Sequence, residues 1–411
     1  MALYAFDGTW NSDEDDPKVD TNVVRFAELY KGKQIEYIAG VGTRFGKIGA
    51  LFGGLFGSGG RSRIDEMYEE LCRNWQEGDT DIDIIGFSRG AALATHFANL
   101  IGEKGVKLAD GNYDENAKVR FLGIWDMVGS FGLSFNTFID FQSIDLGWDI
   151  RTLDVCVDHC FHAMALDERR ETFNVIRLDP DCSHANIREV WFRGVHSDVG
   201  GGNGEIARSN IALKWMIEQG KECGIKFDDE KAKADRYSKT EQFAPIFQNK
   251  DIQYDPRRKV GDNDEFHPTA LPIELKIGEK HTCLVQAKLL YNWTGVKVQE
   301  NATYVCEVID VDGWKDGDVK CGPNGWRSDE LPWYQEGLVE LAERFRRKPD
   351  ANWFALIASL DDEDDELIYI GDEKRPFKPS RDAGLYLFAN DLRSKYANNS
   401  GSLKVEIIRT A

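Results

Sequence analysis

Residues 81–100 read DIDIIGFSRGAALATHFANL, and they predict a strand, a tight turn and a helix in direct succession. The turn carries a G-x-S-x-G motif centred on Ser88, which indicates a serine nucleophile whose hydroxyl projects above a sheet. Glycine is needed at Gly86 and Gly90 because a side chain would collide across so tight a turn. The backbone N–H of Arg89, at the start of the helix, would point at an oxyanion formed beside Ser88.

The rest of the N-terminal half alternates between strand and helix patterns, as doubly wound α/β proteins do. The clearest helix has apolar residues at Ile64, Met67, Tyr68 and Leu71 along one face. Predicted strands cover residues 2–6, 34–39, 82–85, 119–125 and 189–195, and predicted helices cover residues 23–30, 62–77, 153–166 and 209–219. We therefore expect an α/β-hydrolase fold with a doubly wound, mainly parallel sheet, followed by an all-β sandwich.

Three reactive side chains follow predicted strands in the order Ser88, Asp126, His196, which is the order found in α/β hydrolases. An imidazole near neutral pH can take the proton of a serine hydroxyl and so activate it. A carboxylate then fixes the tautomer of the imidazole and stabilises the imidazolium. The sequence thus predicts His196 as the base and Asp126 as the acid.

Other residues stay open for these roles. Alternative bases are His162, His159 and His267, and alternative acids are Asp198, foremost, and then Asp7 and Asp167. The second oxyanion donor is expected from the backbone around Gly8 and Thr9, after the first strand. The glycine-rich, apolar loop over residues 45–60 is interpreted as either a mobile cover over the core or a lid that contacts substrate.

The periodicity changes near residue 265, where short apolar runs broken by Gly, Pro, Asn or Asp predict an antiparallel β-sandwich. We therefore expect a catalytic domain over residues 1–264 and a sandwich over residues 265–411, with a helix inserted at 335–346. The acidic run 361–366 is interpreted as a solvated hairpin tip. Near the C-terminus, Asp391, Asn398 and Asn399 offer the hard oxygen ligands that calcium prefers.

The net charge, the length of the apolar runs and the cysteine distribution exclude some classes of function and location. The 411 residues carry a net charge of −20, which argues against an extended nucleic-acid-binding surface. No apolar run reaches the roughly 18 residues of a spanning helix, and no signal-peptide core is expected at the start. The scattered cysteines indicate a protein made in the cytoplasm, which leaves export by a leaderless route open. No cofactor is expected for catalysis.

Seven blocks together resemble one family: FDGTWN (6–11), GVGT (40–43), GFSRGA (86–91), GIWDMVGS (123–130), ALDERRETF (165–173), VWFRGVHSDVGGG (190–202) and SNIALKWM (209–216). It is the uncharacterised α/β-hydrolase domain family that includes the first family of type VI secretion lipase effectors, and the resemblance spans residues 2–225. It implies a phospholipase with Ser88 as nucleophile and supports Asp126 and His196. It also implies a secretion-apparatus or immunity-protein partner. Longer membrane-docking insertions are usual in those effectors; here only 45–60 and about 131–152 offer such surface, which gives weight to a soluble ester.

The tail GLYLFANDLRSKYANNSGSLKVEI (384–407), with DGWKDGDVKCGPNGW (312–326), resembles the calcium-dependent galactose-binding PA-I type lectins. That resemblance implies calcium ligation by Asp391, Asn398 and Asn399, and a sugar contact at Leu392. The expected protein is thus a serine esterase or lipase with a lectin-like domain. The alternatives are an esterase that deacylates glycans and a catalytically inert carbohydrate-binding module.

Overall fold

The computed structural model describes residues 1–8, 20–38, 60–129, 150–170, 173–182, 185–204, 206–244, 246, 258–330 and 342–411. The chain divides into two compact units between Ala270 and Leu271. This division lies slightly beyond the expected boundary at 264/265, because Glu265–Phe266 forms an edge strand of the first unit's sheet.

In the first unit the sheet strands are β1 (Ala2–Phe6), β2 (Gln34–Ile38), β3 (Ile82–Phe87), β6 (Val119–Trp125), β7 (His159–Ala165), β8 (Asn186–Phe192) and β9 (Glu265–Phe266), and β4 (Val106–Lys107) and β5 (Tyr113–Asp114) form a small hairpin. The helices are α1 (Asn22–Leu29), α2 (Gly60–Gln76), α3 (Arg89–Lys104), α4 (His196–Gly200), α5 (Ile206–Glu222) and α6 (Asp235–Ser238), with 3₁₀ turns at Lys231–Lys233 and Pro268–Ala270. None of the helices in these described segments is long and apolar enough to cross a membrane.

The described strands of the main sheet run parallel in the order β2-β1-β3-β6-β7-β8-β9. The chain first builds from β1 to β2 on one side and then continues from β3 on the other. Open α/β sheets bind ligands beyond the carboxyl ends of their strands at such a reversal. Ser88 follows β3 directly at this point, so the topology places it where a site is expected.

Each face of the sheet has its own apolar core. On one face, Ile64, Met67 and Leu71 of α2 pack with the alanine-rich side of α3. On the other face, α1 and α5 pack through residues such as Phe26 and Trp215. Helices on both faces confirm the predicted doubly wound α/β architecture.

The prediction of a helix over residues 153–166 is wrong. His159–Ala165 is strand β7, paired on one side with β6 and on the other with β8. Cys160–Ala165 are all buried. A strand covered on both faces has no alternation of polar and apolar residues, so its periodicity does not separate it from a buried helix.

The second unit is antiparallel. Its strands are β10 (Lys280–Gln286), β11 (Asn292–Val298), β12 (Tyr304–Asp316), β13 (Val319–Lys320), β14 (Leu356–Leu360), β15 (Leu367–Tyr369), β16 (Pro376–Phe377), β17 (Ala383–Ala389) and β18 (Asn399–Arg409), with 3₁₀ turns at Ser328–Glu330, Glu343–Phe345 and Tyr396–Asn398. One described sheet has the order β10-β18-β12-β13 with β16 beside β12, and the other has β11-β17-β14-β15. Their inner faces share one core, which includes Val285, Val405, Val296 and Leu387. This confirms the predicted sandwich.

Two predictions for the second unit, the inserted helix and the acidic hairpin tip, differ from the structure or lie partly outside the described residues. Most of the helix expected at 335–346 lies outside the described residues, whose nearest part is the 3₁₀ turn at Glu343–Phe345. The acidic run does connect β14 to β15, but it is not merely a solvated tip. Asp364 accepts hydrogen bonds from Arg347, which is 2% exposed, and from Tyr291.

Candidate active site

Ser88 occupies the turn between β3 and α3 in a backbone conformation that non-glycine residues rarely adopt, with φ 60° and ψ −128°. The flanking glycines allow this turn. A Cβ at Gly86 would lie 2.6 Å from the carbonyl oxygen of Gly90, and a Cβ at Gly90 would lie 2.3 Å from that of Phe6. The sharp turn holds the hydroxyl above the end of the sheet.

A continuous hydrogen-bond chain links the three predicted residues. The Nε2 atom of His196 lies 2.8 Å from Ser88 Oγ, and Nδ1 lies 2.6 Å from Asp126 Oδ2. The carboxylate can only accept, so Nδ1 carries the proton and Nε2 is left to accept the serine hydroxyl proton. All three are buried.

Asp126 is held by the backbone where β6 ends. Its φ of 41° turns the chain away from the sheet, and its N–H donates to the carbonyl of Ala163 at 2.8 Å. Its Oδ1 accepts from the N–H of Ala165 at 2.8 Å. Anchoring to the neighbouring strand β7 directs the carboxylate towards the imidazole.

His196 is the first residue of the short helix α4, whereas the sequence placed it directly after a strand; β8 ends at Phe192. Its ring stacks on Phe87 with centroids 4.5 Å apart, and the edge of Phe173 approaches at 4.8 Å. The backbone N–H of His196 donates to Glu168 at 3.2 Å. These contacts fix both the ring and its backbone.

Three charged residues for which the sequence predicted no role lie at this site. Arg258 pairs with Asp126 at 2.6 Å, and Arg170 pairs with Glu168 at 2.7 Å. Glu168 lies within a block that carried the family resemblance, which was a signal for it. Arg258 lies in a charged stretch outside all seven of those blocks, so no local signal pointed to it.

The surrounding charges shift both titrating partners. Burial disfavours the charged carboxylate, but Arg258 and the His196 hydrogen bond outweigh it and hold the pKa of Asp126 well below its ordinary value. Burial lowers the pKa of His196, against the attraction of Asp126. The acid is thus ionised and the base neutral, the protonation states in which His196 can accept a proton.

The alternative acids have other partners. Asp198 accepts from the N–H of Val195 at 3.0 Å and from the Asn203 amide at 2.7 Å, which caps helix α4. Asp167 accepts from the N–H of Gly194 at 2.6 Å. The structure therefore places Asp126, rather than these carboxylates, against Nδ1 of the base.

The alternative bases lie in other hydrogen-bond networks. His162 contacts Glu189 through Nδ1 at 2.9 Å and accepts from the N–H of Met127 through Nε2 at 3.1 Å. Its contact with Met127 supports the turn that carries the acid. His159 contacts a backbone carbonyl at 3.2 Å, and His267 contacts Thr269 at 2.8 Å.

The expected oxyanion donors are only partly described. The N–H of Arg89 belongs to the first turn of α3, where backbone donors point out of the start of the helix. The N–H of Gly8 donates to the Asp7 carboxylate at 2.7 Å, so it is engaged in this structure. Burial raises the pKa of Asp7 to about 6, against hydrogen bonds from Tyr37, Thr21 and Gly8. Thr9, the 45–59 part of the apolar loop and residues 131–149 lie outside the described residues.

In the second unit, the residues expected to bind calcium lie close together. Asp391 Oδ2 accepts from Asn399 Nδ2 at 3.0 Å, and Asn398 Nδ2 donates to Asp316 Oδ1 at 3.1 Å. Burial, with the nearby charge of Asp316, raises the pKa of Asp391 to about 6. Burial also raises the pKa of Asp316. Two carboxylates are therefore held where their ionised forms are disfavoured.

One buried oxygen in this cluster has no donor. Asn399 Oδ1 accepts no hydrogen bond from the described part of the chain. The amide orientation is fixed, because Nδ2 faces the acceptors Asp391 Oδ2 and, at 3.4 Å, Ala287 O. No group of three or more His, Cys, Asp or Glu side chains that could hold a metal occurs among the described residues. Amide oxygens would thus have to complete any cation site, and the unpartnered oxygen fits that need.

The parallel sheet, with a serine on a strained turn hydrogen-bonded to a histidine and an aspartate, defines an α/β hydrolase. The chain belongs to the family of Tle1-like type VI secretion phospholipase effectors, whose catalytic-domain model matches residues 3–116 and 107–219. This match covers more than half of the chain and confirms the resemblance predicted from the seven blocks.

Several solved structures resemble parts of the chain. The Tle1 effector bound to the VgrG spike of the type VI secretion system is 23% identical, with 49% of this chain and 50% of that chain covered at a TM-score of 0.32. The N-terminal domain of EclA, a PllA-like lectin, is 20% identical, with 31% of this chain and 95% of that chain covered at a TM-score of 0.23. A mutant of the esterase rPPE is 16% identical over 40% and 59%, at a TM-score of 0.24. The chain spans about half the length of the Tle1 chain. No curated protein matches it.

Proposed function

We propose that this protein is a serine hydrolase that cleaves carboxylic esters of phospholipids. The observation that carries the proposal is the hydrogen-bond chain from Ser88 Oγ through His196 to Asp126, built at the strand ends of a Tle1-like catalytic domain. In this reading Ser88 is the nucleophile, His196 the general base and Asp126 the acid that orients it.

Acylation follows from this geometry. As Ser88 Oγ attacks the ester carbonyl, its proton passes to Nε2 of His196, which lies 2.8 Å away. The Asp126 carboxylate stabilises the imidazolium through Nδ1–H. Negative charge develops on the carbonyl oxygen at the start of α3, where the N–H of Arg89 is the proposed donor.

The second half of the reaction uses the same groups. His196 returns its proton to the departing alcohol oxygen, which leaves an acyl group on Ser88. Water then attacks that acyl ester while Nε2 accepts its proton, and release of the carboxylic acid restores the serine hydroxyl. Since Gly8 N–H is engaged by Asp7, a second oxyanion donor requires rearrangement there or a donor outside the described residues.

Labelling with a fluorophosphonate probe tests the nucleophile. Wild-type protein should be labelled, and Ser88→Ala should lose labelling together with roughly 10³-fold or more of ester turnover. Fatty-acid release from vesicles of defined phospholipids tests the substrate class. Equal turnover in the Ser88→Ala variant would refute the hydrolase proposal.

A glycan-deacylating esterase is the competing enzyme, and an inert carbohydrate-binding module is the competing class. Release of acetate from acetylated polysaccharide, without fatty-acid release from vesicles, would favour the first. Failure of the wild-type protein to react with the probe would favour the second. The family's description as phospholipase effectors supports the lipid substrate and export by type VI secretion. A secretion-apparatus partner and an immunity protein are part of the same proposal.

We further propose that the second unit binds calcium through Asp391, Asn398 and Asn399, with Asp316 as a second carboxylate. The unpartnered, buried Asn399 Oδ1 supports this ligand set. Calcium would offset the charge of the two carboxylates and supply the missing partner. In a melting experiment on the full chain, chelation should lower the melting temperature, and Asp391→Ala should remove that sensitivity. Identical melting with calcium and with chelator would refute the proposal and weaken the lectin-like reading, in which sugar binds nearby.

A further inference from the structure

Arg258 contacts the carboxylate that faces the imidazole through both of its terminal nitrogens. Nη1 lies 2.6 Å from Asp126 Oδ1, and Nη2 lies 3.0 Å from Oδ2. Nη1 also donates to the carbonyl of Ala165 at 2.6 Å, and Nη2 donates to the carbonyl of Phe173. Only 4% of the Arg258 side chain is exposed. The arginine thus connects the end of β7, the acid and the aromatic residue beside His196.

This contact fixes the plane of the carboxylate. Each oxygen of Asp126 accepts one hydrogen bond from Arg258 and one from a second donor, which is the N–H of Ala165 for Oδ1 and Nδ1 of His196 for Oδ2. A planar guanidinium matches the spacing of two carboxylate oxygens, whereas an ammonium acts as a point charge. Rotation of the carboxylate away from the base would break both Arg258 contacts at once.

Arg258 also changes the charge balance at the base. The charged groups that face His196 are Asp126 after β6, Glu168 after β7, and Arg258 before β9, and Glu168 is itself paired with Arg170. The two carboxylates favour a protonated imidazole, and the guanidinium opposes it. A positive charge fixed at this distance disfavours a second one on the ring.

We propose that Arg258 is a positioning residue that holds the Asp126 carboxylate against His196 and keeps the imidazole available as a proton acceptor. The catalytic consequence rests on the proposed ester hydrolysis, but the effect on the imidazole does not. Two substitutions separate the parts of this role. Arg258→Gln removes the charge, and Arg258→Lys keeps a charge but loses the two-pronged contact.

A pH titration of the His196 ring by NMR, assigned with a His196→Gln variant, measures the charge effect without turnover. The midpoint should rise by about one unit or more in Arg258→Gln, because removal of a fixed positive charge raises the proton affinity of the groups that remain. It should stay nearer the wild-type value in Arg258→Lys. In assays of ester turnover, the acidic limb of the pH profile of kcat/KM should shift in Arg258→Gln together with the His196 midpoint. Arg258→Lys should lower kcat and leave the position of that acidic limb unchanged.

Arg120 provides a matched control, since it makes a two-pronged contact with the buried Asp83 at 3.0 and 2.6 Å in the same unit. Arg120→Gln should lower the melting temperature and leave the His196 midpoint unchanged. An unchanged or lowered midpoint in Arg258→Gln would overturn the proposal. If that variant does not fold, a wild-type kcat in Arg258→Lys overturns the positioning role. If the wild-type protein shows no ester turnover while the His196 midpoint still rises in Arg258→Gln, only the hydrolase proposal is contradicted.

Discussion

Replacing Asp126 by asparagine should damage both turnover and stability, and the structure gives a scale for each. An amide cannot hold the Nδ1–H tautomer of His196 as a carboxylate does, and an equivalent change in a Ser–His–Asp triad lowers kcat by about 10⁴. The substitution also leaves Arg258 buried without its counter-charge, at 4% side-chain exposure. Breaking a buried pair in this way typically destabilises by about 3–5 kcal/mol. At about 2–4 °C per kcal/mol, the melting temperature should fall by roughly 10 °C.

Asp198→Asn is the matched comparison, because Asp198 is equally buried and lies two residues from the base. The Asp198 carboxylate accepts from the Val195 N–H and the Asn203 amide, whereas the Asp126 carboxylate accepts from the base, so Asp198→Asn should cost far less turnover than Asp126→Asn. Ester turnover and thermal melting of both variants measure this difference.

A double variant separates the two effects. Asp126→Asn with Arg258→Gln should regain part of the lost stability, since no buried charge is left unpaired, but it should regain no turnover. A larger loss of turnover in Asp198→Asn would move the acid to that residue. An unchanged melting temperature in Asp126→Asn would contradict the buried ion pair.

Three further predictions concern other parts of the chain. Gly90→Ala should reduce turnover and stability together, because its Cβ would meet the backbone carbonyl oxygen of Phe6 at 2.3 Å; a melting scan and an ester assay check this, and wild-type values would contradict it. Chelator should leave ester turnover largely unchanged while lowering the melting temperature, because the proposed Ser–His–Asp chemistry requires no metal; a parallel loss of turnover would argue against this. For Asp391, the pKa is raised from 3.8 to about 6, so its contribution to the stability of calcium-free protein is full below about 3.8 and is lost as pH rises through about 6. A pKa shift of about two units corresponds to roughly 3 kcal/mol of unfolding free energy. Asp391→Asn should therefore flatten the fall in melting temperature between about pH 3.8 and 6. An equal fall in the wild-type and variant proteins would refute the assignment of this pH dependence to Asp391.

Local sequence patterns were enough to predict many of the helices and strands of the first unit. β6 runs over Val119–Trp125 as predicted, and α2 begins and ends within two residues of its predicted bounds. Amphipathic helices and tight glycine turns are set by neighbours along the chain, so a window of residues contains the needed information. Strand β7 lacked a decisive local pattern, because burial by distant segments on both of its faces decided its conformation.

The sequence by itself determined the strained turn at Ser88, because the two flanking glycines and the adjoining strand and helix are encoded within a few residues. Only the tertiary structure decided which carboxylate meets the base. Asp198 is closer to His196 along the chain, yet Asp126, 70 residues away, is the one that contacts it. Arg258 reaches Asp126 across 132 residues. Such contacts depend on which strand ends lie side by side in the sheet, and strand order is a property of the whole chain rather than of any local stretch.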